Sequence, residues 1–183
     1  MNGMGMLPRT ILDLLQNQYK HESANHFRYI ARSSWANKRG FNNTAVYFAK
    51  EANGELKHSS IVRDYIEQRN EAVEPSGFAF DDSSIFKTFD ELFTTALKVE
   101  QETTDLLNNI YQEAIAVGDF MTSTWVQQLI TEQIEEENIY QTIIDRMIQR
   151  GGGGDEVTAL NNFRKDQSAS HDLDAWIGET FND

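Results

Sequence analysis

Glu55 and His58 stand three residues apart in the stretch GELKH. On a helix that interval puts a carboxylate and an imidazole one turn apart on one face, close enough to share a metal ion. Thirty-three residues separate Glu22 from Glu55, and the same interval separates Glu100 from Gln133. Glu136 follows Gln133 as His58 follows Glu55, so positions 22, 55 and 58 recur at 100, 133 and 136, an offset of 78. The chain therefore reads as two related halves, each a helix pair with one lone carboxylate and one spaced pair. A four-helix bundle uses this arrangement to hold two metal ions in its core.

Ligands so far apart in sequence need long elements to bring them to one point. Four stretches carry a helical period: residues 8–38, 43–70, 88–118 and 120–150. Pro8 suits a first helical turn, and Gly40 breaks the first stretch. Thr88 with Glu91 three residues on predicts a capped start for the third, and the glycines at 151–154 end the fourth. On inward stripes of 3,4 spacing, Glu22, Glu55, Glu100 and Glu136 each fall near mid-helix. Four carboxylates meeting in a core are costly unless cations compensate them. Residues 71–88 are too long for a tight turn and lack a helical pattern, which predicts a crossover along the bundle that leaves helices two and three parallel.

The expected architecture is thus all-α: a four-helix bundle over residues 1–150 with a long crossover between helices two and three. A short fifth helix of the same domain, capped by Asp155, spans 151–170, and an acidic tail follows at 171–183. Trp176, Ile177 and Phe181 are spaced to pack on something, so the tail is expected to dock on a neighbouring subunit or on the inner surface of an assembly.

Composition narrows the function classes. The net charge is -13, from 29 acidic and 16 basic residues, the opposite of a nucleic-acid-binding surface and suited to attracting cations. With no cysteine, disulfides, zinc-thiolate sites and iron–sulfur clusters are excluded. No apolar run reaches the length of a membrane span and the N-terminus lacks a signal-peptide core, so a cytoplasmic location is expected.

Taken together, Glu22 in HES, Tyr29 seven residues on, Glu55 and His58 in GELKH, Glu100 in ALKVEQ, and Gln133 and Glu136 in EQIEEE resemble the bacterial non-haem ferritins from about residue 12 to 150. The resemblance implies a ferritin-like bundle in which Glu22, Glu55 and His58 hold a first iron, Glu100 and Glu136 a second, and Glu55 bridges them. Gln133 would lie beside the place where dioxygen binds, and Tyr29 would hydrogen-bond within the site. Oxygen donors with one imidazole suit Fe(II), and carboxylates stabilise the Fe(III) that forms. The implied activity is a ferroxidase that uses O2 or H2O2 and stores ferric mineral in a homo-oligomeric cage of 24 subunits, with Val157, Leu160 and Phe163 lining four-fold contacts. A di-iron oxidase or oxygenase without storage is the alternative, and it would need an apolar pocket beside the metals.

Departures from the pattern refine the expectation. The second half reads Gln133-x-x-Glu136 where a bacterioferritin has Glu-x-x-His, and Leu56 stands where a haem-ligating Met would, so no haem is expected. Gly54 replaces the acidic residue of a third iron site found in some bacterial ferritins, leaving Glu132 and Glu135 for a weaker one. Glycine inside a helix costs about 1 kcal/mol relative to Ala, for which close helix approach is one reason. His26 is read as a hydrogen-bonded core or interface histidine rather than an added ligand.

Overall fold

The computed structural model describes residues 6–74, 77, 86–152 and 154–182. These form six helices: α1 (Arg9–Lys38), α2 (Asn42–Gln68), α3 (Phe89–Val117), α4 (Phe120–Arg150), α5 (Glu156–Lys165) and α6 (Gln167–Phe181). The helix ends follow local chemistry. α1 starts directly after Pro8, which lacks only an N–H that a first turn would leave unbonded. At the head of α3, the Glu91 carboxylate accepts the backbone N–H of Lys87 at 2.7 Å and of Thr88 at 3.4 Å. α3 ends on Gly118 in the left-handed region, φ +74. One residue later Asp119 caps α4 by accepting the Thr122 N–H at 3.2 Å.

Side-chain bonds fix the directions of the four long helices. His26 meets the carbonyl of Ala52, and Ser33 donates to that of Ala45, so α1 and α2 run antiparallel. His21 pairs with Thr103 while Arg32 donates to Leu92 O, so α3 also runs against α1. α2 and α3 are therefore parallel, as the long connection predicts. Its middle, residues 75–76 and 78–85, falls outside the described residues. Tyr140 with Glu51, Tyr65 with Thr122, and the buried Arg69–Asp119 ion pair at 3.0 Å set α4 against α2.

The apolar core lies in two parts. One gathers Phe48, Phe93, Tyr140, Ile143 and Met147 with residues of α5 and α6. The other gathers Leu15, Ile66, Leu107, Ile110 and Val126 toward the α3–α4 turn. Between them the buried side chains are polar: Glu22, Asn25, Glu55, Glu100, Thr103 and Gln133. Asn25 and Thr103, themselves 78 positions apart, meet across the bundle at 3.5 Å, so the repeat in the sequence is a physical pairing of the two halves.

The chain after α4 departs from expectation in two ways. Residues 167–181 form α6, which packs on the same chain: Leu173 and Ile177 are buried in the first core, beside partly buried Trp176 and Phe181. Asp174 accepts the backbone N–H of Thr44 at 2.7 Å and of Asn43 at 3.4 Å, capping α2, whose own N-cap residue Phe41 supplies no side-chain bond. A Cβ on Gly178 would come within 2.5 Å of the Asn43 side chain, so this approach depends on glycine. The docking partner of the tail is thus its own bundle. In α5, Leu160 and Phe163 are likewise buried in the first core, and only Val157, at 70% exposure, faces outward. Apolar residues spaced for an intersubunit contact serve equally for an intrachain one, and the nearer surface took them.

Candidate metal centre

Two helices deliver the first set of donors. Glu22 on α1 and Glu55 and His58 on α2 bring one ligand atom each within 4.8 Å of one another. Both carboxylates are buried and His58 is half-buried. Gln18 Nε2 donates to Glu22 Oε1 at 2.5 Å, whereas Glu22 Oε2 and Glu55 Oε2 are buried with no hydrogen-bond partner. Oxygen atoms in that state are expensive unless a cation or proton occupies the space they face. The donor set therefore fits a divalent ion.

The second set is held differently. Glu100 on α3 accepts the Tyr29 hydroxyl on one oxygen and Gln133 Nε2 on the other, the latter at 3.0 Å, while the same amide also reaches Glu100 O at 3.2 Å. Glu136, half-buried on α4, has Oε1 3.8 Å from His58 Nε2, and Glu132 Oε2 lies at the same distance. Glu100 and Glu136 thus face the first cluster from the opposite half. Burial, then the charges of Glu22 and Glu100, push Glu55 well above the usual carboxylate range. Burial also raises Glu100, opposed by its bonds from Tyr29 and Gln133. Glu136 is pushed up to about 9 by burial and then by Glu100. So many carboxyls cannot all ionise in one low-dielectric space without added positive charge, and a metal ion would displace their protons.

Two further charged residues near these carboxylates lie outside the 78-residue repeat. Glu51, one turn before Glu55, is raised to about 7 by burial and then by Glu100, and it accepts the Tyr140 hydroxyl at 3.3 Å. Its i−4 relation to Glu55 was the available signal. Arg32 is fully buried, donates to Leu92 O and Thr95 Oγ1 at 3.1 Å each, and lies 5.1 Å from the Tyr29 ring centroid and 4.8 Å from that of Phe86. Nothing in its spacing marks an arginine as interior. Tyr29 itself stacks on Phe48 and Tyr140.

His26 Nδ1 bonds Ala52 O at 2.7 Å, the role expected of a non-ligand histidine. A Cβ added at Gly54 would meet nothing within 4 Å, so close helix approach within the chain does not explain that glycine. Glu132 stands near His58, while Glu135 is exposed beside Trp176 and Phe181.

The comparisons agree with this geometry. The ferritin-like domain family matches residues 12–168. A bacterial non-heme ferritin of Staphylococcus aureus (strain USA300) is 29% identical over 167 residues, covering 90% of this chain and 96% of the relative. That of Staphylococcus haemolyticus (strain JCSC1435) is 27% identical over 164 residues, with coverage of 90% and 96%. In fold, the chain is similar to an open pore ferritin from Archaeoglobus fulgidus, with a TM-score of 0.76 at 19% identity, covering 92% of this chain and 98% of that one. An engineered closed form of that protein gives a TM-score of 0.80 over 94% of this chain and 96% of the other. A bundle with a polar layer of carboxylates at its centre, matched by the family along most of its length, leads to one conclusion: this chain belongs to the ferritin-like domain family.

Proposed function

We propose that the chain is an iron-storage ferritin subunit that oxidises Fe(II) within its own bundle and passes Fe(III) to a mineral held in a homo-oligomeric cage of 24 copies. The observation that carries this reading is the Glu22–Glu55–His58 cluster, in which one buried oxygen of each carboxylate has no hydrogen-bond partner, faced by Glu100 and Glu136. Glu22, Glu55 and His58 receive one Fe(II), and Glu100 and Glu136 a second, with Glu55 between them. Each ion gives up one electron, and the pair reduces O2, with two protons, to H2O2. Tyr29 and Gln133 hold the Glu100 carboxylate in a fixed orientation, so its oxygens need no rearrangement when an ion arrives.

Storage rather than oxygenation of an organic substrate is favoured by the acidic balance of the chain, 29 acidic against 16 basic residues, which suits the collection of cations. Among the described residues no helix is long and apolar enough to cross a membrane. The test combines size-exclusion chromatography with an iron stain after aerobic Fe(II) loading. A particle of several hundred kilodaltons that retains iron is expected; a monomer or dimer that oxidises Fe(II) without retaining it would select the oxidase alternative.

A further inference from the structure

Two approaches lead to the carboxylate layer, and they differ in charge. Along α2 and α4 stand His58, Glu132 and Glu136, a side rich in anionic oxygen that suits a cation. On the other flank of α4, a groove of about 490 Å³ runs between α3 and α4. Gln101, Asn108, Gln133, Asn138 and Gln141 give this groove five carboxamides. Its carboxylate, Glu137, already accepts the Thr104 hydroxyl, and Leu97, Ile130 and Ile134 supply apolar wall. In a chain with 29 acidic residues, this lining is nearly neutral.

The groove ends against the site. Gln133 lines it, is only 3% exposed, and donates through Nε2 to Glu100, so one amide side chain separates the groove from a carboxylate of the second set. A hydrated Fe(II) would have to exchange its water there for neutral amides, whereas carboxylates await it on the other side. A small uncharged molecule has no such penalty and finds both amide donors and apolar wall.

We propose that the α3–α4 groove is the passage by which a small uncharged oxidant, O2 or H2O2, reaches the site, separate from the carboxylate side that receives Fe(II). This rests on the ferroxidase reading above. Ile134, 66% exposed on one wall, is the place to close it: Ile134→Trp would lay an indole across the groove. Asn108→Trp, from the α3 wall, closes it independently if the first variant does not fold. Stopped-flow oxidation of Fe(II) is measured with O2 and, anaerobically, with H2O2, alongside anaerobic Co(II) binding by visible absorption. The expected result is a several-fold slower oxidation with Co(II) binding unchanged. Slowing with one oxidant only assigns the passage to that oxidant, and slowing with both assigns it to both. Wild-type rates with both oxidants in a folded variant would overturn the proposal, as would Co(II) uptake slowed in step with oxidation. A wild-type protein that binds no Co(II) would instead remove the ferroxidase reading itself, and the passage with it.

Discussion

The two halves of the bundle repeat one pattern at an offset of 78 and use it to different ends. In the first half, Glu22, Glu55 and His58 crowd together, with Glu22 Oε2 and Glu55 Oε2 left without hydrogen-bond partners. In the second, the corresponding positions are Glu100, Gln133 and Glu136, and both oxygens of Glu100 are already bonded, to Tyr29 and Gln133. A buried carboxylate oxygen with no hydrogen-bond donor is one that a cation or a proton would stabilise. A carboxylate held by two neutral donors is oriented and partly satisfied, so it gives up less when an ion leaves. The same helix geometry thus leaves carboxylate oxygens open in one half and bonded in the other; the repeated positions differ at 55/133 and at 58/136, and the amide at 133 supplies one of the two donors to Glu100.

The harshest way to break this comparison is Glu55→Ala, which removes the carboxylate lying between the halves. Initial Fe(II) oxidation should fall by at least about a hundredfold, a loss typical when a group central to the chemistry is deleted. Wild-type rates in stopped-flow would place the reaction elsewhere. His58→Ala touches the first half alone and should cost less, sparing one bound ion of two in an anaerobic Co(II) titration.

Protonation offers a second way. Glu51, raised to about 7, and Glu136, raised to about 9, both bind protons more tightly folded than unfolded. Their contribution to the stability of the metal-free protein is therefore present at low pH and lost as pH rises through about 7 and then about 9. Thermal melts of the metal-free chain should fall across this window, while the gain on adding Co(II) should grow, since fewer protons remain to be displaced. A stabilisation by Co(II) that shrinks as pH rises would contradict the assignment of these carboxyls.

A third test sharpens the contrast at its source. Gln133→Glu makes the second half resemble the first, and it replaces a donor to Glu100 with another carboxylate. Retention of the second ion should tighten, with slower transfer to the mineral, as read from anaerobic metal dissociation and from core growth. Equal dissociation rates in both proteins would remove Gln133 from the centre. The smallest effect is expected outside the site: Asp174→Ala takes a distant cap from α2 and should lower stability by about 1 kcal/mol, seen in denaturant melts with Co(II) binding unchanged. Truncation after Ser170 removes buried Leu173 and Ile177 as well and should cost several-fold more.

By itself the sequence determined the four long helices, because each carries a 3,4 stripe between recognisable stops: Pro8, Gly40, Thr88 with Glu91, Gly118 and the run after Arg150. It also pointed to Glu22, Glu55, His58, Glu100, Gln133 and Glu136, since residues on a helix at fixed intervals share a face whatever surrounds them. What it could not decide depends on which surfaces happen to meet. Leu160, Phe163, Leu173 and Ile177 announce apolar faces without naming a partner, and only the folded chain shows that their own bundle takes them. Arg32 and Glu51 read as ordinary helix charges. Their burial follows from the packing of Phe86, Leu92 and Tyr140 around them, which local spacing does not encode. Periodicity is a property of a single helix, whereas burial and protonation belong to the space between several, so the tertiary structure alone decides them.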